Sequence, residues 1–376
     1  MAKSNRALFI DLLKGIALLV MIEVHVVNAF LLPSLRETWW FPFLDFINGL
    51  VAPAFAFTSG MVFVISLHKG TDELRTFGKA FWRKMTRIGL LFFAGYSLHI
   101  PFFSFHKILL YPTFSNIAGL LNVDILELIA SGILFLLFAR IIIKTEKSFY
   151  NFTAVCTIII LLLGSLVWSI DFYNYMPLFF SNYFNKIHGS FFPGFPWWAF
   201  VFSGAYVAKF YNSARETNNE KKFAKQLIII GAVLLASGLF VSNVLFNQFL
   251  KDVRPHITFF PERFGAVIIL LGSFWFYLNK KENYKSLILD VSRESLVVYW
   301  FHLHLIFREL VYEKSLDNIY HEQLGMPACI LITLIIVVLM VALAKFWGTM
   351  KKKYPVYAKW WTIAFLVIGT AIFLYR

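Results

Sequence analysis

Apolar runs long enough to cross a bilayer recur along this sequence, at roughly 7–32, 43–67, 88–103, 122–143, 152–170, 194–210, 226–246, 264–279, 291–311, 327–345 and 358–375. Each helical crossing of the hydrocarbon core takes about 20 residues. Lipid also admits only a backbone whose hydrogen bonds close internally. The expected fold is therefore all-α, a polytopic membrane helix bundle of about eleven transmembrane helices. With 59% hydrophobic and 15% charged residues and a mean hydropathy of +0.69, the chain departs from soluble domains, which are nearer half apolar and a quarter charged. Spans and short loops use up the 376 residues, so the sequence reads as a single transmembrane domain, 1–376, with any active site inside the bundle.

The net charge of +14 invites a nucleic-acid reading, but that needs a basic face on a soluble fold. Here the cations alternate between connections. Lys69, Arg75, Lys79, Arg83, Lys84 and Arg87 follow the second run, whereas Arg36 stands alone in the connection before it. Arg140, Lys144 and Lys147, then Arg215, Lys221, Lys222 and Lys225, then Lys280, Lys281 and Lys285, and last Lys351, Lys352, Lys353 and Lys359 fall in every second connection. By the positive-inside rule those connections are cytoplasmic, which orients the chain N-in/C-out as a multi-pass protein of the cell (inner) membrane. Lys3 and Arg6 precede the first run as in a signal peptide. That run is long, contains Asp11, Lys14 and His25 and lacks a small-residue cleavage site, so it reads as a retained first helix. Cys156 and Cys329 sit in apolar runs and read as packing residues.

Ionisable groups at bilayer depth cost about 2.5–3.5 kcal/mol each on insertion scales, so those in the first helix point to function. Asp11, Lys14, His25 and Asn28 fall within an arc of roughly a hundred degrees, and Glu23 points the other way. His25 lies about 21 Å beyond Asp11 along the axis. Asp11 and Lys14 can pair near the cytoplasmic end, and His25 sits in the outer half of the membrane, as a functional group or as a bundle histidine bonded to a neighbour. In the ninth run, Ser295, Tyr299 and His302 share a face, with His302 about 16 Å into the run. His304 lies about 160° away, so the two histidines do not share a metal site; none is expected. HExxH, GxxxxGK[ST], GxSxG and CxxC are all absent from the sequence. The outer connection HGSFFPGFPWW holds His188, Pro193, Pro196, Trp197 and Trp198, and the prolines impose an irregular approach to the helix. Its aromatics, with Trp39 and Trp40, read either as interfacial anchors or as surfaces that stack on a sugar.

Five segments carry a resemblance. RALFIDLLKGIALLVMIEVH, with Arg6, Asp11, Lys14, Gly15 and His25, resembles the opening of the bacterial relatives of heparan-α-glucosaminide N-acetyltransferase. PAFAFTSGM, with Pro53, Phe55, Ser59 and Gly60, is similar to that family's second helix, and FWRKMTRIGLL to the basic entry of its third. FPGFPWWAFVFSG and SLVVYWFHLHL resemble two later segments. Lys14 stands where the family has arginine, which keeps the charge and loses the planar fork. No histidine lies between Asn28 and Asp45, where lysosomal members carry one, and this brings the chain closer to the acyltransferase-3 group, whose first-helix histidine serves as base.

The resemblance implies an acyltransferase that moves an acyl group, acetyl by family, from cytoplasmic acyl-CoA to an amine or hydroxyl of an extracytoplasmic sugar or glycan. Acyl-CoA is then a co-substrate, and no cofactor is bound permanently. On this reading His25, Asp45, Asn28 and His302 form the catalytic set. His25 is the base of a direct displacement or the carrier of a covalent acyl group, Asp45 orients it, and Asn28 meets the oxyanion or the acceptor. His302 lines the pantetheine path or contacts the thioester. Asp11, Lys14, Arg83, Arg87 and Tyr299 bind acyl-CoA, unless Arg83 and Arg87 only set topology. Trp39, Trp40, His188, Trp197 and Trp198 are the candidates for acceptor binding. The lipid bilayer is the surrounding partner, nucleic acid is not one, and a homodimer is compatible with the sequence. The competing class is a multispan transporter or lipid flippase, whose marks are paired broken helices in two related halves.

Overall fold

The computed structural model describes residues 7–67, 71–245, 254–281, 284–308 and 314–375. Lys3, Arg6 and Lys69 lie outside them. Among the described residues the chain is helical without strands, apart from an isolated parallel bridge between Leu31 and Leu324. The main helices are α1 (Leu8–Phe30), α2 (Phe41–Asn48), α3 (Val51–Ile65), α4 (Lys79–Leu98), α5 (Ile125–Ile142), α6 (Glu146–Trp168) and α7 (Gly194–Glu216). They continue with α8 (Glu220–Phe240), α9 (Phe259–Asn279), α10 (Leu287–Arg293), α11 (Ser295–Phe307), α12 (Met326–Lys353) and α13 (Pro355–Tyr375).

Seven helices among the described residues are long and apolar enough to cross a membrane: α2 with α3, then α5, α6, α8 with the turn beyond it, α9, α12 and α13. The chain is a multi-pass membrane protein. Helices α1, α4 and α7 have 23, 20 and 23 residues, and α11 is a shorter apolar helix of 13. Several boundaries differ from the apolar runs. Helix α4 starts at Lys79, so Arg83, Lys84 and Arg87 occupy its first turns and not a loop. Lysine and arginine are good helix formers, and nothing after Gly78 breaks the helix. The second run is divided at Gly49 and Leu50, and the ninth at Glu294. Helix α12, in the tenth run, continues through Lys351, Lys352 and Lys353 to a stop at Pro355.

Two compact units can be distinguished. One comprises Met1–Val51, Ile100–Leu120 and Lys281–Arg376. Its centre is α1, which packs on α10, α11 and α12 through Leu18, Ile22, Val26 and Phe30, a fully buried stripe at four-residue spacing. Gly15 brings α1 against the backbone of Ile288 in α10, where any Cβ would overlap the carbonyl. Beyond α1 the chain is stitched to the segment before α12: Leu32 N donates to Leu324 O at 3.0 Å, and Leu324 N to Phe30 O at 2.7 Å. Arg36 pairs with Glu322 across the same junction at 3.3 Å.

The second unit comprises Ala52–His99 and Leu121–Lys280. Here α8 packs along α9, α6 along α7, and α5 against both α4 and α7. Helix α5 starts with a capping box. Asp124 Oδ1 accepts from Ile125 N at 2.7 Å, and Glu127 Oε2 accepts from Asp124 N at 3.2 Å. Helices α3 and α7 cross where Gly60 meets the backbone of Val201 and Gly204 meets that of Phe57, contacts with no room for a Cβ on either side. Two glycines from separate sequence motifs are thus the two halves of one small-residue crossing.

Candidate functional site

Helix α1 presents its polar face at the edge of the buried stripe. Asp11, Lys14 and His25 are half-buried and Asn28 is exposed one turn further on. His25 meets α11. Its ring centroid lies 5.3 Å from that of His302, tilted by 42°, and 5.8 Å from Phe307, edge-on. His302 is fully buried. Its Nδ1 lies 2.8 Å from the backbone oxygen of Val298, one turn earlier in the same helix. A carbonyl oxygen only accepts, so Nδ1 carries the proton and Nε2 is left with a free lone pair. That Nε2 is buried without a hydrogen-bond partner among the described residues. Tyr299, also buried, stands edge-on to His302 at 5.6 Å. The first unit therefore holds two imidazoles in van der Waals reach, one of them with its tautomer fixed and a basic nitrogen unused.

His304 belongs to different surroundings, as its position on the helix requires. Its Nδ1 donates to Trp300 O at 2.9 Å, and its ring stacks on Trp300 at 3.5 Å and meets Phe103 edge-on. Asp45, expected beside His25, is exposed on α2 and makes no hydrogen bond or ion pair with it. The group that does lie against His25 is His302, from a run far along the sequence. No local pattern signals that pairing, because helix periodicity reports which face a residue occupies and not which helix covers it.

The second unit carries the basic entry of α4. Lys84 donates to Ser66 Oγ at 2.8 Å and lies over the Phe63 ring, while Arg83 and Arg87 flank it on the exposed side. Two free guanidinium groups one turn apart suit phosphate oxygens, which take bidentate donors. At the other end of this unit His188 Nε2–H donates to Asp171 Oδ1 at 2.8 Å and its ring meets Tyr173 edge-on. That bond, with the Tyr173 amide at 3.0 Å, holds the Asp171 carboxyl below the usual carboxylate range.

Trp197 and Trp198 occupy the first turn of α7, after a non-helical Phe195 and a cis Phe195–Pro196 bond. Both are buried. Trp198 Nε1 donates to Ser131 Oγ of α5 at 2.9 Å, and Trp197 packs edge-on against Phe192 and Phe259. Trp39, by contrast, is 92% exposed, and Trp40 is half-buried against Phe41.

Comparison with known proteins bears on this arrangement. The model of the family described as heparan-alpha-glucosaminide N-acetyltransferase, catalytic, matches residues 6–239. No match was found among curated proteins. The family match takes in His25, Asp45, the α4 cations and the Trp197–Trp198 segment, and ends before α11 and His302. With more than half of its length matched and a fold of membrane-spanning helices, the chain belongs to the heparan-alpha-glucosaminide N-acetyltransferase catalytic family and is a membrane acyltransferase of that kind.

Proposed function

We propose that the chain transfers an acetyl group from cytoplasmic acetyl-CoA to an amine or hydroxyl of an extracytoplasmic glycan, with His25 and His302 at the point of transfer. The seven apolar helices together with α1, α4, α7 and the α10–α11 pair make eleven crossings, N-in/C-out, in the cell membrane. Alternation of basic connections supports that orientation. Arg83 and Arg87, and separately Lys14 with Asp11, then face the cytoplasm, where CoA phosphates arrive. Tyr299, against His302, contacts the donor. Trp39 and Trp40 of the first unit and His188, Trp197 and Trp198 of the second are each candidates for contact with the acceptor.

The observation that carries the reading is the His25–His302 contact. Transfer breaks the thioester C–S bond, forms a C–N or C–O bond to the acceptor, and moves the acceptor's proton to the departing thiolate. His25 takes that proton as the acceptor attacks. The imidazolium so formed lies against the His302 ring, whose Nε2 lone pair is not used within the helix. Asn28, one turn on, contacts the acceptor. The arrangement favours direct displacement, with the acyl group passing straight from sulfur to acceptor. A transporter or flippase would use neither base nor thioester. Equilibrium binding of fluorescent acetyl-CoA to the purified protein tests the reading: saturable binding that is competed by CoA is expected, and its absence would leave the transporter class.

A further inference from the structure

Five basic connections run through the chain, and four of them mix acid with base. Asp72 and Glu73 lie beside Arg75, Glu146 beside Lys144 and Lys147, Glu216 and Glu220 beside Arg215 and Lys221, and Glu282 and Asp290 beside Lys281 and Lys285. The fifth differs. From Met326 to Tyr375, through α12, Tyr354 and α13, there are five lysines and no aspartate or glutamate. Orientation in the membrane needs only the cations, because carboxylates count for little in the positive-inside rule. Topology therefore does not explain why this hairpin is free of acid.

Helix periodicity sorts the lysines. At 100° per residue Lys345, Lys352 and Lys353 share an arc of about 100° on α12, and Lys351 falls outside it. Lys351 turns back into the protein, to the buried carboxylate of Glu294 at the break between α10 and α11. Lys345, Lys352 and Lys353, with Lys359 of α13, are exposed and make no ion pair among the described residues. The two helices are joined by Tyr354 alone, and Lys359 is about 6 Å into α13, so the four cations gather at one end of the hairpin.

The aromatic residues fix the depth of that end. Tyr354, Tyr357, Trp360 and Trp361 are each more than half exposed, and exposed tyrosine and tryptophan belong at the level of lipid headgroups. Lys345 starts about 10 Å deeper than Lys352 on the same face and extends its ammonium toward that level along its own apolar stem. Four ammonium groups at headgroup depth, on helices with no carboxylate of their own, take their anions from the bilayer. A choline or ethanolamine headgroup brings a cation with its phosphate, and an anionic headgroup does not. We propose that the lysine end of the α12–α13 hairpin is a binding surface for anionic phospholipid, its headgroup held by Lys345, Lys352, Lys353 and Lys359 and its acyl chains along Phe346 and the exposed apolar face of α13.

The test is native mass spectrometry of the full chain in detergent with equal amounts of phosphatidylglycerol and phosphatidylcholine. A lysine near an anionic surface is worth about fivefold in affinity, so wild type is expected to retain phosphatidylglycerol about tenfold or more over phosphatidylcholine. Replacing Lys345, Lys352, Lys353 and Lys359 together by glutamine should reduce that preference to about twofold or less. Replacing Lys221, Lys222 and Lys225 by glutamine, in a connection that carries acid, should leave it intact. If the fourfold variant does not fold, photoreactive phosphatidylglycerol on wild type in vesicles decides, with label concentrated in the 345–361 peptide as the expected result. Equal retention of the two lipids, equal loss in both variants, or label spread evenly over the basic connections would reduce the surface to net charge. Displacement of the label by CoA would make it a nucleotide-phosphate site, and a crosslink between two copies at this peptide would make it an interface. Each of these results overturns the proposal.

Discussion

The imidazole of His302 illustrates how a single hydrogen bond sets chemistry. Because Nδ1–H is committed to Val298 O, the basic nitrogen is fixed at Nε2, and it has no competing partner among the described residues. The sequence allowed His25 and His302 to be picked individually, from polar residues at membrane depth. Their contact was not legible, and neither was the exposure of Asp45, since both depend on which helices pack together. A second residue-scale consequence concerns His188 and Asp171. The carboxyl sits below its ordinary pKa chiefly because His188 bonds the ionised form. Its contribution to stability is thus present above the ordinary carboxylate value and lost as pH falls through the lower folded value. His188→Ala should shrink the difference between the thermal midpoints measured at pH 6 and pH 3. An unchanged difference would mean that the bond carries no linkage.

Among the helices, the motif glycines act through packing. Gly60 and Gly204 permit the α3–α7 crossing, so Gly60→Leu should cost roughly 1–3 kcal/mol or more as an overpacked contact and lower the thermal midpoint in detergent. A variant with the wild-type midpoint would remove the crossing from the account. The entry of α4 is different in kind. Arg83 and Arg87 are exposed on a regular helix and have no packing task, whereas Lys84 is tied to Ser66. Arg83→Ala or Arg87→Ala should weaken acetyl-CoA binding by about ten- to a hundredfold, from the ~1.5–3 kcal/mol of a charge-assisted contact. Titration calorimetry measures this, and unchanged affinity in both variants would leave the pair with topology alone. Helix existence was legible from the apolar runs, but helix ends were not: lysines and arginines that read as loop prolong α4 and α12, because they keep helical backbone while marking the membrane edge.

On the scale of the whole chain, the membrane class follows from composition and from helices that leave most of their apolar surface uncovered by protein. Helix α13, for instance, is exposed along nearly its entire length. The proposed eleven-span orientation would place Lys221 in the cytoplasm and His188 outside. Cysteine introduced singly at positions 188 and 221 should therefore react with an impermeant reagent from opposite sides of the membrane, and reaction from the same side would remove the basis for transfer across it. The central claim is that acyl transfer runs through the His25–His302 pair. Its most direct test is single-turnover acetyl transfer by the reconstituted protein with saturating acetyl-CoA, comparing wild type with His25→Ala and His302→Ala. Loss of a general base lowers rate by about 100- to 10,000-fold. The account predicts such a loss for His25→Ala with acetyl-CoA binding retained, and a smaller loss for His302→Ala; a His25→Ala enzyme keeping more than about a tenth of the wild-type rate would contradict it.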